Sequence, residues 1–169
     1  MIEAVAWAVL GLTTLVASLR AHRSRNARLV GRWAVALLFV VAGAGVNAWY
    51  LATGTDYAGF ADASAIPFVR ETWRAVVAPN QELWIGLLVA FEATAGVLVA
   101  SGGRRTQLGL VAIIGFHLAL LSFGWFFVFW SLPMLLALGL LLRAEREAVR
   151  IAEELPGPAG AEPALVTAE

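Results

Sequence analysis

The chain contains no cysteine, and only 14% of its residues carry a charge. The absence of cysteine excludes disulfides, thiol redox relays, iron–sulfur clusters and thiolate metal sites. Soluble proteins average about 25% charged residues, so this chain has too few to cover a water-facing surface. Because 60% of its residues are hydrophobic, the composition predicts a protein that is surrounded by lipid.

The chain contains four long stretches that are apolar and almost free of charge. They cover residues 2–19, 33–52, 83–103 and 106–142. As one helix, the last stretch would be about 55 Å long, whereas the hydrocarbon core of a bilayer is about 30 Å thick. The stretch therefore predicts two spans with a turn at Gly124-Trp125. The alternative is one span that ends near Pro133, followed by a helix lying on the membrane.

The arginines distinguish between five spans and four, because basic residues in short loops favour the cytoplasm. With five spans, ten of the twelve arginines fall on one side, and only Arg70 and Arg74 fall on the other. With four spans, the C-terminal arginines would lie outside. The first apolar stretch precedes its positive charges, which is typical of an anchor with an external N-terminus and not of a cleavable signal.

The sequence thus predicts an all-α, polytopic membrane bundle over residues 1–143, with its N-terminus outside and its C-terminus in the cytoplasm. The five predicted transmembrane helices cover about 2–19, 33–52, 83–103, 106–123 and 126–142.

The predicted outer loop, residues 53–81, contains a second kind of helix. Over 66–77, Trp73 and the apolar residues around it follow helical spacing, while Arg70 and Arg74 occupy the opposite face. We expect this amphipathic helix to lie in the outer interface. It forms either a structural lid over the bundle or a gate over a ligand cavity.

The remaining residues, 144–169, form a predicted cytoplasmic tail. Its charge pattern indicates a solvated helical extension, and its composition predicts disorder from about residue 156. A net charge of zero gives no reason to expect a nucleic acid partner. The ligand types are too few and too dispersed to predict a metal site.

Three isolated polar residues, Asn47, Glu92 and His117, lie within the predicted spans. A carboxylate near a helix centre costs about 2.5–3.5 kcal/mol on insertion scales. We therefore expect Glu92 to have a polar partner in the bundle or a functional role. Counting along the spans places Glu92 and His117 within about 3 Å of the midplane and Asn47 about 7 Å outward of it, so the three could meet if their helices face one another. They are candidates for one cofactor-binding site, where Glu92 and His117 would exchange protons with a quinone headgroup. The alternatives are interhelical hydrogen bonds without a ligand, or three unrelated positions.

Several short motifs support a family resemblance from Arg32 to about Arg143. They are Gly31-Arg32-Trp33, the glycine-containing segment 43–47, Ile66-Pro67, the segment 91–96 around Glu92, and the Gly-Arg turn at 102–106. In these features the chain resembles the DoxX-like family of small bacterial membrane proteins. The resemblance implies a four-helix core, to which residues 2–19 add a leading helix. It also implies a multi-pass protein of the bacterial cytoplasmic (inner) membrane with a connection to redox work.

The leading hypothesis is therefore an accessory subunit of a quinone-linked membrane redox system. Its partners would be the lipid bilayer and other membrane or redox subunits, and quinone is the candidate cofactor. One alternative is a structural or assembly protein without a ligand, and another is a transporter of small solutes or protons. The sequence does not assign an enzymatic activity.

Overall fold

Helices form most of residues 2–154, the part of the chain that this computed structural model describes. They are α1 (Ile2–Arg20), α2 (Arg25–Ala52), α3 (Pro67–Thr72), α4 (Gln81–Ala100), α5 (Gly103–Leu120) and α6 (Trp125–Glu154). Helix α2 contains a π-helical segment, Leu38–Gly45, and α3 continues through a π-helical turn, Trp73–Val77, and a 3-10 turn, Ala78–Asn80. The predicted disorder from about residue 156 lies outside the described residues.

Within residues 2–154, five of these helical stretches are long and apolar enough to cross a membrane. They are Glu3–Arg20, Arg25–Ala52, Pro67–Ala100, Gly103–Phe123 and Trp125–Glu154. The predicted all-α architecture and the predicted number of long apolar helices are therefore confirmed. Consecutive stretches run in opposite directions, so the bundle has two ends. We call the end with loops 21–24 and 101–102 the arginine pole, and the end with residues 53–80 the loop pole.

The first connection is shorter than the sequence predicted. Helix α2 begins at Arg25, about two turns before the expected start of the second span. The side chain of Ser24 accepts a hydrogen bond from the backbone N–H of Ala27 (3.2 Å), which satisfies one of the free donors at a helix N-terminus. As a result Arg28 and Arg32, expected in a loop, lie on the helix.

Glu145 of α6 is the reason these two arginines face the protein. Glu145 is 3% exposed, and its Oε1 lies 3.6 Å from Nε of Arg28 and 3.9 Å from Nε of Arg32. Arg32 also donates to two carbonyl oxygens in the last turn of α4, at 3.3 and 2.7 Å, where a positive charge is favourable. The prediction that the charged residues of the tail form a solvated surface is wrong for Glu145, because arginines of α2 pair with it across the bundle.

Glycines allow α4 to approach its neighbours closely. A Cβ atom on Gly96 would lie 2.6 Å from the side chain of Val40 in α2. A Cβ atom on Gly109 of α5 would lie 2.9 Å from the carbonyl oxygen of Ala95 in α4. Small residues at helix interfaces permit such contacts between backbones, so these two positions set the spacing of α2, α4 and α5.

An aromatic cluster holds the 53–80 segment onto the bundle. The ring of Phe60 lies 5.0 Å from that of Trp73, 5.4 Å from Phe123 and 5.1 Å from Phe127, measured between ring centres. Trp73 belongs to the helical region that the sequence predicted at 66–77. The loop therefore packs on the junction of α5 and α6, and we call residues 53–80 the lid. Whether it also gates a ligand cavity stays a prediction.

The turn between α5 and α6 lies at Gly124, where the sequence analysis expected it. Its backbone φ of +120° is a conformation that glycine adopts readily. A Cβ atom there would lie 2.7 Å from the carbonyl oxygen of Ala63, and Ser64 donates to the carbonyl oxygen of Ser122 beside it. Pro133 lies inside α6 and does not end it.

We predict that Gly109→Ala destabilises the bundle while Gly115→Ala does not. Both glycines lie on α5, but an added methyl group at Gly109 would meet the backbone of α4, whereas at Gly115 nothing lies within 4 Å. Overpacking of this kind costs about 1–3 kcal/mol. Unfolding of the purified proteins in detergent measures the difference, and equal stabilities would contradict the close approach of α4 and α5.

Candidate polar site within the bundle

The site begins with the irregular middle of α2. Over Leu38–Gly45 the helix has π-type hydrogen bonding, a feature often found at functional sites. The indole N–H of Trp7 in α1 donates to the carbonyl oxygen of Ala42 in this segment (3.0 Å). On the side facing α4, a Cβ atom on Gly43 would lie 2.8 Å from Oε1 of Glu92. The missing side chain of Gly43 therefore provides the room for the Glu92 carboxyl group.

Glu92 and Asn47 form a direct pair. The side-chain amide of Asn47 donates through Nδ2 to Oε2 of Glu92 at 2.9 Å. Glu92 is 4% exposed, so its carboxyl group has little access to water. Burial of a polar group is costly unless it is hydrogen-bonded. The pair joins α2 to α4 in the loop-pole half of α2.

Tyr57 extends this pair into the outer loop. Its hydroxyl group donates to Oδ1 of Asn47 (3.2 Å), and its ring is buried. Burial, and then the nearby Glu92 carboxyl group, raise the pKa of the Tyr57 phenol. The hydroxyl group therefore keeps its proton and remains the donor in this bond.

The backbone of Tyr57 is held as firmly as its side chain. Its N–H donates to Oε1 of Gln81 at the start of α4 (3.1 Å), and its carbonyl oxygen accepts from the indole of Trp73 (2.8 Å). A continuous network thus runs from Glu92 through Asn47 and Tyr57 to the lid. We call Glu92, Asn47 and Tyr57 the brace.

His117 is separate from the brace. Its Nδ1 lies 3.0 Å from the carbonyl oxygen of Ile113, one turn earlier in α5, and its ring packs against Phe39 and Phe116. The residue is 1% exposed, and its Nε2 has no hydrogen-bond partner among the described residues. His117 forms no hydrogen bond with Glu92 or Asn47.

The structure therefore brings together two of the three predicted site residues. Glu92 and His117 lie at similar levels, since their neighbours Phe91 and Phe116 have ring centres 5.6 Å apart, but the two side chains have different partners. Tyr57 was not among the site residues predicted from the sequence. The aromatic content of the outer loop was a signal that the loop packs, but it could not indicate which residue enters the bundle.

Two surface grooves open near the loop pole, and Glu92, Asn47 and His117 line neither of them. One, of about 510 Å³, is formed by Asp56 and residues 78–83. The other, of about 330 Å³, lies between α2 and α4 and is bordered by residues such as Ala48, Gly86 and Glu82. Within residues 2–154, no three His, Asp or Glu side chains are grouped so that they could hold a metal ion.

We predict that Tyr57→Phe destabilises the protein and that Tyr50→Phe leaves it nearly unchanged. Removing the Tyr57 hydroxyl group leaves Oδ1 of Asn47 without a donor, which costs about 1 kcal/mol. The Tyr50 hydroxyl group donates to Glu3 in an exposed pair, where substitutions change stability by about 0.5 kcal/mol or less. Unfolding free energies in one detergent compare the two variants. Equal losses would show that the brace contributes no more than an exposed contact.

Comparisons with protein-family models, with curated proteins and with solved structures gave no match to this chain. The resemblance to DoxX-like proteins rests on the short motifs named in the sequence analysis, and it stays a prediction.

Proposed function

We propose that the chain is a multi-pass protein of the bacterial cytoplasmic membrane, with its arginine pole in the cytoplasm. Two observations support the insertion. Large apolar side chains such as Leu12, Leu37, Leu108 and Leu136 point outward from the bundle with 45–64% of their surface exposed, which lipid would cover. The ends of the bundle also differ in arginine content, as short cytoplasmic loops do from external ones.

We predict opposite labelling of two single-cysteine variants, Gly59→Cys at the loop pole and His22→Cys at the arginine pole. Both positions are exposed, and the chain has no other cysteine. A membrane-impermeant maleimide should label Gly59→Cys on intact spheroplasts and His22→Cys only after lysis. The reverse pattern would invert the topology, and labelling of both before lysis would contradict a spanning bundle.

Within the membrane we propose an accessory, non-catalytic role in a redox system. The DoxX-like resemblance supplies the redox setting. The brace is the observation that supports a non-catalytic role. The Glu92 carboxyl group already accepts a hydrogen bond from Asn47, and Glu92 lines neither of the two surface grooves. A carboxyl group held in this way fixes the register of α2 against α4, and the lid is tied to the same network. The bundle then offers partner subunits a rigid surface.

A second candidate function is binding of a hydroquinone at His117. Because the Ile113 carbonyl oxygen can only accept, Nδ1 of His117 carries the proton in that bond. In the neutral ring, Nε2 is then an acceptor that lacks a donor. A hydroquinone hydroxyl group can donate to it, whereas a quinone carbonyl group cannot. This candidate therefore favours the reduced form of the cofactor, and entry requires the aromatic rings around His117 to move.

The two functions predict different behaviour of Glu92→Gln and His117→Leu. Glutamine retains an oxygen that accepts from Asn47, so the accessory role expects normal stability and normal quinol-dependent oxygen uptake by membranes containing Glu92→Gln. Glu92→Leu leaves the Asn47 amide unpaired and should lose about 1–3 kcal/mol of stability. The hydroquinone candidate expects saturable binding of a hydroquinone, stronger than that of its quinone, which His117→Leu abolishes.

A folded Glu92→Gln protein that lost oxygen uptake would overturn the non-catalytic role. Oxygen uptake that is the same with and without the whole chain would remove the redox setting. If binding of the hydroquinone is unsaturable, or unchanged in His117→Leu, the second candidate is wrong.

A further inference from the structure

The two poles of the bundle carry opposite net charges. Within residues 2–154 the loop pole has two arginines and five carboxylates, whereas the arginine pole has ten arginines and four carboxylates. The four carboxylates at the arginine pole are Glu145, Glu147, Glu153 and Glu154. This pole therefore has an excess of six positive charges, which attracts anions.

Internal pairing accounts for some of the ten arginines. Arg28 and Arg32 face Glu145, Arg104 pairs with Glu153 (3.1 Å), and Arg150 pairs with Glu154 (3.7 Å). The others have no carboxylate within 4.0 Å among the described residues; they are Arg20, Arg23, Arg25, Arg105, Arg143 and Arg146. These six carry the positive charge that residues 2–154 do not neutralise by ion pairs.

Four of the six lie near the arginine-pole ends of α1 and α6, two helices that pack against each other. Near these ends, Ala17 of α1 and Leu141 of α6 both lie within 4 Å of a Cβ atom built on Gly31 of α2. Ala21, at the end of α1, and Ala144 of α6 belong to the same buried cluster. Arg20 and Arg23 lie within two residues of Ala21 along the chain, Arg143 and Arg146 lie within two residues of Ala144, and all four are exposed. We call these four residues the α1–α6 arginine group. Glu147 is also exposed here, but it forms no ion pair within the described residues.

Exposed apolar side chains lead to this group along both helices. On α1, Val16 and Leu19 are 44% and 53% exposed, and Arg20 follows directly. On α6, Leu132 and Leu136 are 56% and 57% exposed and lie two to three turns before Arg143. Each helix thus presents an apolar surface that ends at an arginine. A phospholipid has the same order of chemistry, with acyl chains that end at a phosphate.

We infer that the α1–α6 arginine group binds the phosphate of an anionic phospholipid from the cytoplasmic leaflet, whose acyl chains lie along the exposed apolar residues of α1 and α6. Basic pockets between helices on the cytoplasmic side recognise such headgroups. The continuity of apolar and basic surface favours a lipid over a free phosphate, which would have no use for the apolar part. The inference rests on the proposed insertion and orientation, but not on the redox role.

Electron paramagnetic resonance with spin-labelled lipids tests the inference. The chain is reconstituted in phosphatidylcholine vesicles, and the protein-bound fraction is compared for labelled phosphatidylglycerol and labelled phosphatidylcholine. An arginine at the membrane surface is worth about fivefold in lipid affinity. We therefore expect phosphatidylglycerol to be favoured at least about fivefold, and Arg20→Gln/Arg143→Gln to remove most of that preference. Screening should weaken it at high salt.

The matched control is Arg104→Gln/Arg105→Gln, which removes the same formal charge from the same pole but from α5. We expect it to change the preference much less than Arg20→Gln/Arg143→Gln does, because Arg104 already pairs with Glu153 and an exposed charge acts only within about one Debye length. Equal losses in the two double variants would overturn the local site in favour of the diffuse charge of the pole. If the wild type shows no preference for phosphatidylglycerol over phosphatidylcholine, the inference is wrong. This measurement on the wild type tests the inference even if a variant fails to fold.

A competition experiment with inorganic phosphate at millimolar concentration distinguishes a lipid site from a free-phosphate site. If it displaces phosphatidylglycerol from the wild type at constant ionic strength, the group is a free-phosphate site and the lipid assignment is wrong. Failure of the proposed insertion would be seen separately, because the chain would then not enter the vesicles and no lipid of either kind would be immobilised.

Discussion

The hydrogen bond between Asn47 and Glu92 is the constraint on which the arrangement of α2 and α4 depends. A carboxyl group inside an apolar bundle is costly unless it has a polar partner, and here that partner comes from another helix. Gly43 provides the space, and the π-helical segment around it gives α2 its local geometry. Because Tyr57 donates to the same amide, the loop is tied to this pair as well as to the aromatic cluster around Phe60.

Helix α2 is fixed by polar contacts near both of its ends. Toward the loop pole Asn47 joins it to α4, and toward the arginine pole Arg28 and Arg32 join it to Glu145 of α6. The contacts between these two clusters are mostly apolar, and apolar packing specifies register weakly compared with directional hydrogen bonds. The two clusters therefore determine which faces of α2 meet its neighbours, and removal of either would leave the helix free to shift along or around its axis.

The buried polar residues differ in how completely the protein satisfies them. Oε2 of Glu92 has a donor and both ends of the Asn47 side chain are bonded, which is the condition for a buried polar network to stabilise a fold. His117 has one nitrogen bonded to its own helix and the other without a partner. A structural role accounts for the brace. It does not account for Nε2 of His117, and this is why the proposed ligand chemistry is assigned to His117 and not to Glu92.

The all-helical architecture, the five apolar stretches, the turn at Gly124 and the three polar residues within the bundle could be predicted from the sequence, because length, hydropathy and charge along the chain are local properties. Three features became visible only in the folded bundle: Asn47 bonds to Glu92 while His117 does not, Tyr57 reaches Asn47 from the loop, and Glu145 is buried against Arg28 and Arg32. Depth along a helix can be counted from the sequence. The direction in which a side chain points around the helix axis depends on which helices pack against it. That is fixed by contacts between residues far apart in the sequence, both polar pairs such as Asn47 with Glu92 and close approaches such as those of Gly96 and Gly109, which no local pattern records.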